Sequence, residues 1–483
     1  MAKLFSTLAA VAGLIIATLL PTRAADWPVF GYDPARSSFN TAENTLTVGN
    51  VHELHERWQI SLGAVADSTP ILLQRVRVGR SYLQMLFQTT LSGVTLGIEA
   101  ASGRVVWRFT THGPNYTHST PAADPSGKAI YAPGVDGKVH KLDASTGHEI
   151  HAAGFPARIT RIPSSEANES PLNVANGYLY ATISGYNGDA PPYDGHVVAV
   201  NLSTGQESVF NSLCSDDHKL PGPHSCSQQR SGIWARGGAV VDPDSSFDGR
   251  VYAATGNGQF DANQPGGKNY GDSVLALSAD LSDLLGSYTP TDYLQLQQGD
   301  VDLGSTSPTI LPDQANSQTP WMLVQGGKDA VLKLLNRAAL GSPQVGGELQ
   351  LIDLPAGLFS TPAVWTDSSN NAWIFMGFSN EVLAYRLETN GSGMSQLDGI
   401  WQSSPGSTSG EGTSPVVANG IVFVAFDGAI VALNATSGTE LWSSAKSSSG
   451  KTIGQVHWQS PIVVNGSVYC SDENGNLTAY GLR

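Results

Sequence analysis

The sequence predicts an all-β protein, an eight-bladed β-propeller of four-stranded antiparallel blades, with seven blades as the alternative because the fourth and fifth repeats carry insertions. Three observations predict it. A block of about 40 residues recurs down the chain, which marks a repeat architecture. Within each block two alternating apolar runs meet at a short turn such as Asp-Gly, which takes the positive φ of a tight hairpin. The last block stops one strand short, while a region near the N-terminus offers a spare strand, so the ring closes without a bare edge.

Residues 1–24 read as a signal peptide, with Lys3 ahead of an apolar run from Leu8 to Leu20 and a small-x-small cleavage site at Thr22-Arg23-Ala24. The run is too short to span a bilayer, and no cysteine follows it for a lipid anchor. The expected mature unit is a single domain, 25–483, exported to the periplasm or secreted, monomeric and without a stable membrane anchor. DWPVFGYDPARSSFN, at 26–40, is expected to pack across one propeller face. VHELHERWQISLG, at 51–63, is the spare strand, expected to pair with 476–480. The repeats follow at 68–109, 118–151, 169–210, 232–288, 305–340, 360–387, 413–442 and 457–483. The clearest read HSTPAADPSGKAIYAPGVDGKVHKLDASTGHEIH and TSPVVANGIVFVAFDGAIVALNATSGTELW.

Without Lys3 and Arg23 the chain has 24 basic and 41 acidic residues, a formal charge of −17. Such a surface repels nucleic acid and anionic headgroups. With 53 Gly, 27 Pro and only 14% charged residues, the composition is that of a turn-rich β protein. Cys214 and Cys226 bracket the loop CSDDHKLPGPHSC and are expected to form a disulfide in an oxidising compartment, leaving Cys470 as a buried thiol. There is no C-x-x-C-H for covalent haem and no adjacent cysteine pair. His112, His118, His140, His148 and His151 lack metal-ligand spacing and are expected mostly at the surface or between blades.

The repeat ending, LNATSGTELW or EAASGRVVW, resembles the pyrroloquinoline quinone (PQQ) repeat of the quinoprotein propeller superfamily. The resemblance implies that Trp442 and Trp107 dock on neighbouring blades. It also implies site residues. VYAATGNGQFDANQPGGKNYGDSVLALS resembles the segment that supplies an Asn ligand to Ca²⁺, here Asn257. GDVDLGSTSPTIL resembles the segment whose second acid, here Asp302 after Asp300, acts as general base and metal ligand. VQGGKDAVLKLLNRAAL places Lys328 where a basic residue meets the quinone oxygens, with an ion pair to Asp302 as the structural alternative. Trp234 in SGIWARGG lies near, but not on, the position of the family's Trp beneath the quinone. The family's glutamate ligand is missing from GYNGDAPPYDGHVVAV, where Asp189 or Asp194 is expected to substitute.

These residues imply an exported PQQ- and Ca²⁺-dependent oxidoreductase acting on an alcohol or polyol, without haem and passing electrons to a separate acceptor. The alternative is a non-catalytic propeller presenting loops to a protein or polysaccharide. A lyase or hydrolase using the same channel is a third reading.

Overall fold

The computed structural model describes residues 25–187, 190–446 and 451–482. Residues 1–24, read from the sequence as a signal peptide, lie outside them. Eight separate antiparallel sheets form the ring. Blade 1 comprises Ile71–Val78, Ser81–Thr89, Val94–Glu99 and Val105–Thr110, hydrogen-bonded in that order, and the next six blades repeat this up-and-down meander. Blade 8 combines Ile462–Val464, Ser467–Ser471 and Asn476–Gly481 with His55–Ser61 as its outer strand. The register runs from His55 opposite Gly481 to Ser61 opposite Asn476, so the ring closes by a pairing across some four hundred residues. The eight-bladed reading therefore holds over the seven-bladed one. The blades with insertions keep their sheets, and one insertion adds Gln344–Val345 as a parallel strand on blade 4.

The recurrent T/S-G-x-x-x-W ending has a mechanical reason. Trp107 donates its indole N–H to Ala144 O of the next blade at 3.0 Å, and Trp442 to Leu54 O at 3.0 Å. Trp58 and Trp401 make the same bond to Ala100 O and Ala435 O. Each of three indoles lies over a left-handed glycine: a Cβ on Gly147 would fall 2.5 Å from Trp107, one on Gly438 2.6 Å from Trp401, and one on Gly103 2.8 Å from Trp58. The glycine thus provides both a positive φ and room for the ring. Between blades, alternate side chains of adjoining sheets interlock as buried apolar clusters, the largest uniting blades 7, 8 and 1.

The segment after residue 26 crosses one face as a strap. Trp27 exchanges backbone hydrogen bonds with Leu72 of blade 1, Pro28 O accepts from Ala123 N of blade 2, and Pro34 O from Val241 N of blade 4 and the Asn173 amide of blade 3. Ser37 O and Ser38 O accept from Val364 N and Val417 N of blades 6 and 7, and the Asn40 amide donates to Val463 O of blade 8. Arg36 is the plug at its centre, 1% exposed. Its guanidinium donates to Phe30 O at 2.7 Å, Gly237 O at 3.0 Å, Leu172 O at 3.0 Å and Pro171 O at 3.3 Å. That end of the central channel is closed. Cys214 and Cys226 are bonded, and Cys470 is a buried free thiol whose pKa is pushed upward by burial.

Candidate functional site

The strap's partners lie within the innermost strands, whereas the residues just before those strands gather at the other mouth. Asp67 precedes Leu72 by five residues, about 16 Å of extended chain. There a cavity of about 690 Å³ opens, lined by residues from every blade.

One side of it is held by Asp302 and Lys328. The Asp302 carboxylate takes the Lys328 ammonium at 2.6 Å on Oδ2 and the Asn257 backbone N–H at 2.5 Å on Oδ1. Gly256 permits this approach, since a Cβ there would sit 2.6 Å from Asp302 Oδ1. The backbone is fixed on both flanks: Leu303 N donates to the buried Asp272 at 3.0 Å, and Lys328 N donates to Asp302 O at 3.0 Å. Burial raises the Asp302 pKa against the opposing pull of Lys328 and the Asn257 N–H. Asp272, wholly buried with one oxygen unpartnered, is pushed up to about 8 by burial and the neighbouring Asp302. The Asn257 amide donates to Asp300 Oδ1 at 3.0 Å. Lys328 Nζ lies 5.3 Å from the centroid of the Trp234 ring, a cation–π contact.

Asn257, Asp302 and Lys328 thus converge, with Trp234 beside them. The ion pair expected as the structural alternative for Lys328 is also present. The completing carboxylate differs from expectation. Asp189 lies outside the described residues. Asp194 stands apart from the cavity: its backbone bridges Arg230 and donates to Glu166, and burial plus the Glu166 charge push its carboxyl up to about 7. The carboxylate beside Asn257 is Asp300 instead, two-thirds exposed at the mouth. Next to it, Gly195 lies against the Ser231 carbonyl, where no Cβ would fit.

The facing wall is a chain of carboxylates and imidazoles. Glu411 meets His457 Nε2 at 2.9 Å, and His457 Nδ1 meets Asp67 at 2.7 Å. Asp67 lies 3.8 Å from His118 Nε2, and His118 Nδ1 lies 2.6 Å from Glu169. These partners outweigh burial and hold His457 near 10, and they raise His118 as well. The Trp458 ring stacks on His457, packs on Trp234 and receives the edge of His118. Below it, Arg236 reaches across the channel from blade 4 to Asp67 O and Trp458 O, its guanidinium 4.8 Å from the Trp458 ring.

His118 therefore corrects the expectation that it belongs to the surface or to a blade interface: it faces the cavity. Asp67, Glu169, Glu411, His457 and Trp458 were not anticipated. A signal for several of them was present: Asp67, His118, Phe359 and Trp458 each stand three residues before the proline that opens a repeat. One register position thus places a side chain into the channel mouth from four blades.

Fold and site together define a propeller of the PQQ-repeat, quinoprotein-like class. Residues 27–345 match the PQQ family model described as glucose/ethanol/alcohol dehydrogenase, beta-propeller domain, and the chain belongs to that family. Residues 394–482 match a second PQQ model, described as outer membrane protein assembly factor BamB. The chain is 23% identical over 320 residues to the quinohemoprotein alcohol dehydrogenase of Comamonas testosteroni, covering 60% of this chain and 42% of that protein. To the quinohemoprotein alcohol dehydrogenase ADH IIB of Pseudomonas putida it is 26% identical over 317 residues, 59% of this chain and 43% of the other. The matched region is less than half the length of either relative. Among solved structures, the ADHIIG enzyme of Pseudomonas putida HK5 superposes with a TM-score of 0.67 at 14% identity, covering 95% of this chain and 80% of that one. A europium-containing methanol dehydrogenase gives 0.65 at 14% identity, covering 95% and 98%. At such identity these likenesses establish the fold.

The donor chemistry suits the group the family name implies. Asn257, Asp300 and Asp302 offer the mixed neutral and anionic oxygens that a hard cation takes. Lys328 over the flat Trp234 ring suits an aromatic ligand bearing acceptor oxygens. Among the described residues no group of three or more His, Cys, Asp or Glu side chains is arranged to hold a metal ion. No helix among them is long and apolar enough to cross a membrane.

Proposed function

We propose that the protein is an exported PQQ-type quinoprotein oxidoreductase that oxidises an alcohol or polyol, carries no haem, and delivers electrons to a separate acceptor. The observation that carries this reading is the meeting of Asn257 of blade 4 with Asp302 and Lys328 of blade 5 beside Trp234 at one mouth of the channel. A bound PQQ would supply a two-electron oxidant. Lys328 would bind its acceptor oxygens and Trp234 would form its platform. Asn257, Asp300 and Asp302 would hold Ca²⁺, and Asp302 would take the hydroxyl proton of the substrate. An ionised base is needed, and a cation at Asp302 would oppose the upward push of burial on its pKa. Export rests on residues 1–24 and agrees with the disulfide.

The test is an ultraviolet–visible titration of the purified protein with PQQ and Ca²⁺, paired with thermal melts. A saturable spectral change and a raised melting temperature are expected. If neither responds, the scaffold reading prevails, which the match of 394–482 to the BamB model favours.

A further inference from the structure

We propose that the hairpin joining the first two strands of blade 1 is a docking site for an acidic, extended polypeptide segment of a partner protein. The innermost strands of the other blades span two to four residues, whereas Ile71–Val78 spans eight. Leu72 already meets the strap at Trp27, so the chain beyond it stands out from the strap face. There Val76 pairs with Leu83, Arg77 with Tyr82 and Val78 with Ser81, while the third strand of the blade ends at Glu99, opposite Met85. The tip is therefore a two-stranded ribbon beyond its own sheet, a departure from the repeat that ring closure does not require.

The ribbon reads QRVRVGRSY from Gln74 to Tyr82, with three arginines and no acid, in a chain of 26 basic and 41 acidic residues. Arg75, Arg77, Arg80 and Tyr82 are all exposed. Val76 is buried between the first two, so those two side chains leave the same face. Arg75 lies over the Tyr82 ring, 4.2 Å from its centroid, a cation–π contact that braces the guanidinium and leaves its N–H edge free. Among the described residues no carboxylate pairs with any of the three arginines, and the nearby Asp26 accepts the Gln74 N–H at 2.7 Å instead. Arginine grips a carboxylate through two parallel hydrogen bonds. Alternate residues of an extended chain stand about 6.7 Å apart, in a partner as in the ribbon, so carboxylates at every second position match Arg75 and Arg77. A flat anionic membrane fits the face poorly, because Asp248, Asp283 and Asp367 lie in its other turns and would be pressed against the headgroups.

The inference is independent of the oxidoreductase reading, and its test needs no cofactor. Fluorescence anisotropy of a fluorescein-labelled oligoglutamate peptide is followed as the full-length mature protein is added, at low and at physiological salt. Saturable binding that weakens with salt is expected. Because the rest of the surface is acidic, such binding has to settle on the ribbon. The triple variant Arg75→Gln, Arg77→Gln, Arg80→Gln should bind about tenfold more weakly with an unchanged melting temperature, since three exposed ion pairs are lost and nothing buried is altered. Should that variant not fold, Arg77→Gln alone supplies the comparison, with a loss of about twofold to threefold. No binding by the wild type overturns the proposal, as does an affinity unchanged in the variant. Binding of phosphatidylglycerol vesicles or of polygalacturonate in place of the peptide overturns it as well, since either would assign the ribbon to a different class of partner.

Discussion

Replacing Arg36 by Met should loosen the strap and leave the blades intact. The guanidinium satisfies four backbone carbonyls at 2.7–3.3 Å, three of them in the strands and loops that the strap covers. Met fills similar volume but donates nothing. If water reaches one carbonyl and three stay orphaned at about 1 kcal/mol each, the loss is about 3 kcal/mol, near the low end for a buried charged donor. A melt reads this poorly, because unfolding entropy grows with length and in so long a chain 1 kcal/mol moves Tm by only about 1 °C. Native-state hydrogen exchange is the better assay. The amides of Ala123, Val241, Val364 and Val417 donate to the strap and report its opening directly. A 3 kcal/mol loss should speed their exchange about 150-fold, while the amides inside the blade ladders stay unchanged. Arg36→Lys should fall between, since one ammonium cannot span four carbonyls. If Arg36→Met changes those four amides by less than about fivefold, the strap is not held by its plug and the reasoning is wrong.

Further outcomes are expected elsewhere. Asp302→Asn should abolish turnover while leaving PQQ affinity within about tenfold, because it removes the base and little of the binding surface; a variant with turnover near wild type would show that another group takes the proton. Replacing Cys214 and Cys226 by Ser should cost about 3 kcal/mol, the closure entropy of a loop of about 13 residues, as read from the denaturant midpoint. Stability should fall as pH rises from about 6.5 to 9. His457 near 10, Asp272 near 8 and Asp194 near 7 all hold protons in the folded chain above their unfolded values of about 6.5 and 3.9. Raised folded pKa values stabilise below the unfolded pKa and lose that contribution as pH climbs through the folded one. The expected slope is about 1.4 kcal/mol per pH unit for each extra proton held. A denaturant midpoint that climbs over this window would count against the buried-acid assignments.

The repeat made the blades legible because hairpins, left-handed glycines and docking tryptophans are local features with a fixed spacing. The closure by His55–Ser61 was readable for a different reason: an incomplete last repeat needs a strand from somewhere. Asn257, Asp302 and Lys328 were found through their surrounding motifs. The facing wall was not, because Asp67, His118, Glu169, Glu411 and His457 are single residues in five different repeats, and only ring closure makes them neighbours. Asp194 lies in the expected loop, but its backbone N–H is tied to Glu166 and its carboxylate is buried away from the cavity.

The pairing of His55–Ser61 with Asn476–Gly481 has a consequence for how the molecule comes into being. The strand synthesised first among the blades waits for the strand synthesised last, and the strap waits with it for Val417 and Val463. Contacts so distant in sequence carry a heavy loop-closure cost and form late. Until they form, blades 1 and 7 each face an open gap, and a lone outer strand offers unpaired backbone to any passing chain. A polypeptide that ends even a few residues before Asn476 can build seven blades and still not close. The fold thereby registers its own completeness: truncated copies should remain sticky and protease-sensitive, whatever the quality of the blades they contain.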